Sequence, residues 1–95
     1  MKIEFKSTFT DRLERQVSYI AYDFPSRARR FKNDLLEQIK KIPNHPYSYR
    51  KSIYFDDNSI RDLIFKGYCI VFRVNESKNS IEIFGFIKYQ ENSTD

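Results

Sequence analysis

Residues 60–89 constrain the fold of this chain more than any other stretch. They read Ile-Arg-Asp-Leu-Ile-Phe-Lys-Gly-Tyr-Cys-Ile-Val-Phe-Arg-Val and then, past Glu76-Ser77-Lys78-Asn79, Ser-Ile-Glu-Ile-Phe-Gly-Phe-Ile-Lys-Tyr. β-Branched and aromatic residues at this density fit a pleated, half-buried surface. Asp57-Asn58 before the stretch, Lys66-Gly67 inside it and the Glu76–Asn79 run divide it as turns do, which predicts a three-stranded antiparallel meander. Alternation puts Tyr68, Ile70, Phe72 and Val74 on a core face and leaves Cys69, Val71 and Arg73 facing something polar. In the last run Ile81, Ile83, Gly85, Ile87 and Tyr89 share a face, with Glu82, Phe84, Phe86 and Lys88 opposite. Phe84 and Phe86 on that more polar face have two readings: cross-strand packing under a covering segment, or a binding surface.

The first half of the chain has helical periods. Lys2–Lys6 alternates Ile3 and Phe5 with charges and predicts a short strand that joins the meander or stands unpaired. Thr8-Phe9-Thr10-Asp11 has the form of a capping box, and Phe9, Leu13, Val17, Ile20 and Phe24 then recur as one apolar stripe. Pro25-Ser26 breaks that helix and opens a second, because proline suits a first turn and not an interior. Its stripe is Ala28, Phe31, Leu35, Ile39 and Ile42, ended by Pro43. So short a connection predicts an antiparallel helix hairpin packed on the sheet, in one α+β domain spanning 1–95. The following segment, Asn44–Lys51, is a surface loop whose tyrosines either stack on bases or pack the loop onto the core. Ile53-Tyr54-Phe55 is read as a short strand leading into the Asp56-Asp57-Asn58 turn.

Charge is uneven along the chain. Met1–Arg50 holds 11 Lys and Arg against 6 Asp and Glu, whereas Lys51–Asp95 holds 6 against 7. The helical half therefore carries the positive field, which attracts nucleic acid, an anionic surface or an acidic protein. Arg27, Arg29, Arg30 and Lys32 crowd the start of the second helix, where cations oppose the helix dipole; a solvated charged face and a binding surface both account for them. Arg50, Lys51 and Lys66 complete the set of candidate target-binding or nucleic-acid-binding cations. Cys69 is the single cysteine and His45 the single histidine, so neither an intramolecular disulfide nor a Cys/His metal cluster can be built and no cofactor is implied. No apolar run approaches the ~20 residues of a membrane span, and the charged start of the chain, Met1–Lys6, lacks the apolar stretch of a signal peptide, so a cytoplasmic protein is expected.

The order strand, helix hairpin, meander, with Arg61–Val74 and a last strand ending in Lys88-Tyr89, resembles the RelE/ParE family of bacterial toxins. Pro25-Ser26-Arg27-Ala28 and Asn44-His45-Pro46 fit the same pattern, and the resemblance covers nearly the whole chain. It implies a toxin held inactive by a cognate antitoxin, with Phe84 and Phe86 as candidate antitoxin contacts. RelE-like members cut messenger RNA on the ribosome; ParE-like members inhibit DNA gyrase. For a ribonuclease the resemblance implies Lys88 in proton transfer, Tyr89 stacking on a base, and Arg61, Lys66 and Arg73 on phosphate. The strand arginine of the nucleases is replaced here, in Gly67-Tyr68-Cys69, by a cysteine that cannot supply a guanidinium. Arg73 shares the strand face of Cys69 but lies four residues further on, roughly 13 Å along a strand. These departures favour the ParE-like activity over the RelE-like one, with a non-toxic nucleic-acid or protein-binding module as a third reading.

Overall fold

The computed structural model describes residues 1–88; Tyr89 and the residues after it lie outside that range. The elements are β1 (Lys2–Phe5), α1 (Ser7–Asp23), α2 (Pro25–Lys40), two single 3-10 turns (Ile42–Asn44 and Pro46–Ser48), β2 (Arg50–Lys51), β3 (Ile60–Phe65), β4 (Tyr68–Asn75) and β5 (Ser80–Lys88). The strands form one sheet in the order β1-β5-β4-β3-β2. β3, β4 and β5 are the antiparallel meander, with β2 antiparallel on its outer edge. β1 joins the other edge parallel to β5, with Ile3 opposite Ile81 and Phe5 opposite Ile83.

The helix pair covers one face of this sheet. Phe9 and Leu13 of α1 and Phe31, Leu35 and Ile39 of α2 meet Leu63, Phe65, Tyr68, Ile70, Phe72, Val74, Ile81 and Ile83 in a single core. The α2 stripe is buried as its spacing predicts, Ile42 included. In α1 the end of the stripe differs: Val17 and Ile20 are half-buried, and Phe24 is the single residue joining the helices, at φ −138° and ψ 76°. Pro25 occupies the first turn of α2. The capping-box reading of Thr8 is also corrected. α1 begins at Ser7 with Lys6 as an N-cap whose side chain makes no capping bond, and the Thr8 hydroxyl donates instead to the Phe84 carbonyl at 2.6 Å.

That bond marks the point where β5 departs from strict alternation. Val71 pairs with Gly85 and Phe72 with Ile83, so Phe84 is an extra residue without a register partner. Such a bulge reverses the facing of everything beyond it. Phe84 and Phe86 therefore do not share a face. Phe86 is buried on the helix side, stacked on Tyr68 at 4.9 Å and edge-on to Phe9 at 5.9 Å. Phe84 and Ile87 lie on the back of the sheet with Ile60, Cys69 and Val71. Gly85 is required there, because a Cβ in its place would stand 2.8 Å from the Val71 Cβ.

The back face is not polar beneath Cys69 and Val71, both of which are fully buried. Residues 53–55 form no strand. The segment between β2 and β3 turns over the sheet instead, with the Phe55 ring edge-on to Phe84 at 5.6 Å. Asp57 closes its turn by accepting the Ser59 N–H at 2.9 Å and hydroxyl at 2.7 Å. The loop tyrosines pack down as well: Tyr49 meets Phe72 edge-on at 5.5 Å, and Tyr47 lies under the Arg61 guanidinium at 4.9 Å.

Candidate target-binding face

The β3–β4 hairpin turns through Lys66 and Gly67 at φ 47° and 82°, the geometry of a tight two-residue turn that suits the twist of its strands. This fixes one end of the sheet, where Phe65, Tyr68 and Lys88 form a cross-strand row. Because the bulge has turned Lys88 to the helix side, it faces the outer surface of α1. Arg12, Arg15, Gln16, Tyr19, Tyr68, Phe86 and Lys88 line a concavity of about 390 Å³ there. Ile20, Arg27, Arg30, Phe31 and Lys66 line a second, of about 340 Å³. The two adjoin through an aromatic wall, since Phe31 meets Tyr68 edge-on at 5.4 Å.

Six cations thus gather at one end of the molecule. Lys66 pairs with Asp34 at 3.5 Å across exposed surface, a contact worth little. Among the described residues the other five have no acidic partner. Arg27 is held over the Phe24 ring at 4.5 Å, which fixes the guanidinium at the mouth of the second concavity. Burial raises the Tyr68 phenol above its usual range, with Tyr19 adding to the effect; Tyr68 is therefore a neutral wall at neutral pH.

Of the sequence-predicted cations, Arg27, Arg30 and Lys66 are brought together. Arg29 stands beside Ser26 at 3.5 Å, and Lys32 lines a separate apolar groove with Phe5, Phe9, Leu13 and Leu36. Lys51 is exposed on the edge strand β2. Arg50 bonds the buried carboxylate of Asp62, Nη2 to Oδ2 at 3.1 Å. Arg61 is buried, and all three of its nitrogens donate to the loop: to the carbonyls of Asn58, Tyr47 and Tyr49 at 2.9, 3.2 and 2.9 Å and to Asn58 Oδ1 at 2.9 Å. Arg73 is exposed on the back face and Lys88 on the helix face, at opposite ends of β4. The structure does not assemble Arg61, Arg73 and Lys88 into one site. Arg12, Arg15 and Tyr19 were missed by a reading of α1 for its apolar stripe, although they recur at helical spacing on its outer side.

Cys69 has no nucleophilic role at neutral pH. Its thiol is pushed up to about 12, first by burial and then by the neighbouring Asp62 carboxylate, with Arg50 drawing it partway back. An unfolded thiol ionises near ~8.5, so above that pH the unfolded chain sheds a proton that the folded chain keeps. The stabilisation is complete below about pH 8.5 and declines as pH rises toward 12, by at most about 1.4 kcal/mol per pH unit. Tyr47 and Tyr68, raised chiefly by burial, act in the same direction. Urea unfolding between about pH 8 and 10.5 should show a shallower decline in Cys69→Ala than in the wild type; equal slopes would exclude the thiol as the source.

The arrangement is that of a small α+β domain with a cluster of cations along one side, and its fold is shared with a known toxin–antitoxin protein. A solved chain from "Chromosomal ParDE TA system from P. aeruginosa" superposes with a TM-score of 0.77 at 16% identity, covering 95% of this chain and 97% of that one. The family model described as ParE toxin of type II toxin-antitoxin system, parDE, matches residues 3–92, and the chain belongs to that family. No curated protein matches it by sequence. Among the described residues no helix is long and apolar enough to cross a membrane.

Proposed function

We propose that this toxin inhibits DNA gyrase in the cytoplasm, without cutting nucleic acid, and is neutralised by a cognate antitoxin. The observation that carries this reading is the dispersal of the particular groups, Arg61, Arg73 and Lys88, that the family resemblance would assign to a phosphodiester-cleaving site. A pentacovalent phosphate needs a fixed cation and a proton-transfer group within hydrogen-bond reach of the same atoms. Arg61 is engaged with loop carbonyls, Arg73 and Lys88 stand on opposite faces, and the position of the nuclease arginine is a buried thiol. The second concavity, with Arg27, Arg30 and Lys66, is the surface offered to the enzyme target. For the antitoxin, the groove of Phe5, Leu13 and Leu36, lined also by Lys32 and Glu14, suits the apolar side of an amphipathic segment better than Phe86, which is buried.

Purified protein should inhibit gyrase supercoiling, leave ribosome-bound messenger uncut, and lose its inhibition when the antitoxin is added. Lys88→Ala should then have a graded effect. In a ribonuclease, loss of a general acid or base removes about 10²–10⁴-fold in rate. Codon-position cleavage of messenger by the wild-type protein, with supercoiling unaffected, would overturn the gyrase reading in favour of ribosome-dependent RNA cleavage.

A further inference from the structure

The outer side of α1 carries Arg12, Arg15, Tyr19 and Tyr22 at spacings that place them on one helix face. Packing does not account for them. Tyr19 is 77% exposed and Tyr22 89%, and large aromatic rings left this bare are the informative exception on a protein surface. Among the described residues neither ring stacks on another or makes a hydrogen bond, and neither arginine has an acidic partner. The concavity containing Arg12 and Lys88 shares Arg15 and Tyr19 with a third, of about 490 Å³, that continues to Tyr22. Together they make one trough along α1. From Arg12 to Tyr22 it spans about 15 Å at the helical rise. Its one acidic lining residue, Asp23, is at the far end beside Tyr22.

We propose that this trough binds a single-stranded nucleic-acid segment, with phosphates on Arg12, Arg15 and Lys88 and bases stacked on Tyr19 and Tyr22. Cations alternating with exposed rings are the two components of such a site: the charges track the backbone, and every unpaired base offers a π-face. A duplex keeps its bases stacked on one another, so it would leave the tyrosines idle. A polyanionic peptide without apolar side chains would engage the cations and likewise make no use of the rings. The proposal is independent of the gyrase reading, because the binding is measured on the purified toxin alone.

Fluorescence anisotropy with labelled oligothymidine and oligouridine, and with a DNA duplex, tests it. Three neutralised phosphates give a salt dependence of about −2 in log K against log salt for a single strand. Arg12→Ala with Arg15→Ala should bring that slope to about −0.7, while Tyr19→Ala should weaken binding at least about 5-fold with the slope unchanged. These side chains are exposed, so the variants should melt like the wild type, and a melting curve for each confirms that binding is lost from a folded chain. A preference for the thymidine or the uridine strand supports the site and identifies its source. The proposal is overturned by a slope near zero, by a double variant that binds as the wild type does, by duplex binding as tight as strand binding and indifferent to Tyr19→Ala, or by displacement of the strand by polyglutamate at equal charge.

Discussion

Arg50→Met should remove about 3–5 kcal/mol of stability, and adding Asp62→Asn in the same chain should return at least about 2 kcal/mol of it. The Asp62 side chain is wholly inaccessible, whereas Arg50 is 38% exposed. Removal of the arginine therefore strands a buried carboxylate, while removal of the carboxylate leaves a cation that can turn to water. Arg50 meets Asp62 Oδ2 through Nη2 at 3.1 Å and Nε at 3.2 Å, and the same oxygen accepts the Ile53 N–H at 3.2 Å. Asparagine keeps an acceptor for that N–H and carries no charge, which is why the double variant should recover. Because Ile53 begins the segment that turns over the back of the sheet, Arg50→Met should also open Cys69 to alkylation in the folded state. Urea unfolding of the two variants and the wild type measures the energies, and iodoacetamide labelling measures the opening. An Arg50→Met protein within about 0.5 kcal/mol of the wild type would mean that the pair contributes no more than a surface contact.

Phe72→Ala should cost about 3–5 kcal/mol, a large part of the stability of a domain this size. Its ring is fully buried, edge-on to Tyr49, on a strand position flanked by Arg61 and Ile83. The loss combines transfer of the ring to water with a cavity that cannot close, since strands hold the position on both sides. Phe31→Ala should fall in the same range, because Phe31 meets both Phe65 and Tyr68 at 5.5 and 5.4 Å. It should have a further effect that Phe72→Ala lacks. Phe31 is part of the wall between the two basic concavities, so target binding by the folded fraction should weaken as well. A thermal melt of either variant that matches the wild type would remove the residue from the core.

Much of the architecture was legible in the sequence, for reasons that are local. The stripe Ala28, Phe31, Leu35, Ile39, Ile42 and the strand face Tyr68, Ile70, Phe72, Val74 are fixed by the periods of helix and strand, and both are buried as their spacing predicts. Lys66-Gly67 supplies the positive φ values that a tight hairpin requires. What the sequence by itself determined, then, is the identity and order of the elements and one face of each. The rest depended on partners distant in the chain. Whether β1 pairs at all, and in parallel with β5, is decided by the sheet edge it meets. The bulge at Phe84 is decided by register against Val71 and Phe72, and a one-residue slip there sends Phe86 into the core and Lys88 to the helix side. Arg61, a phosphate-binding candidate by resemblance, is instead held by the carbonyls of Tyr47 and Tyr49, and Asp62 is paired with Arg50, partners 12 to 14 residues earlier in the chain. The basic trough exists for the same reason: Arg12 and Arg15 meet Lys88 only because that slip turned the end of β5 toward α1. Periodicity determines which side of an element is apolar, and only the packed sheet decides which charges end up facing one another across it.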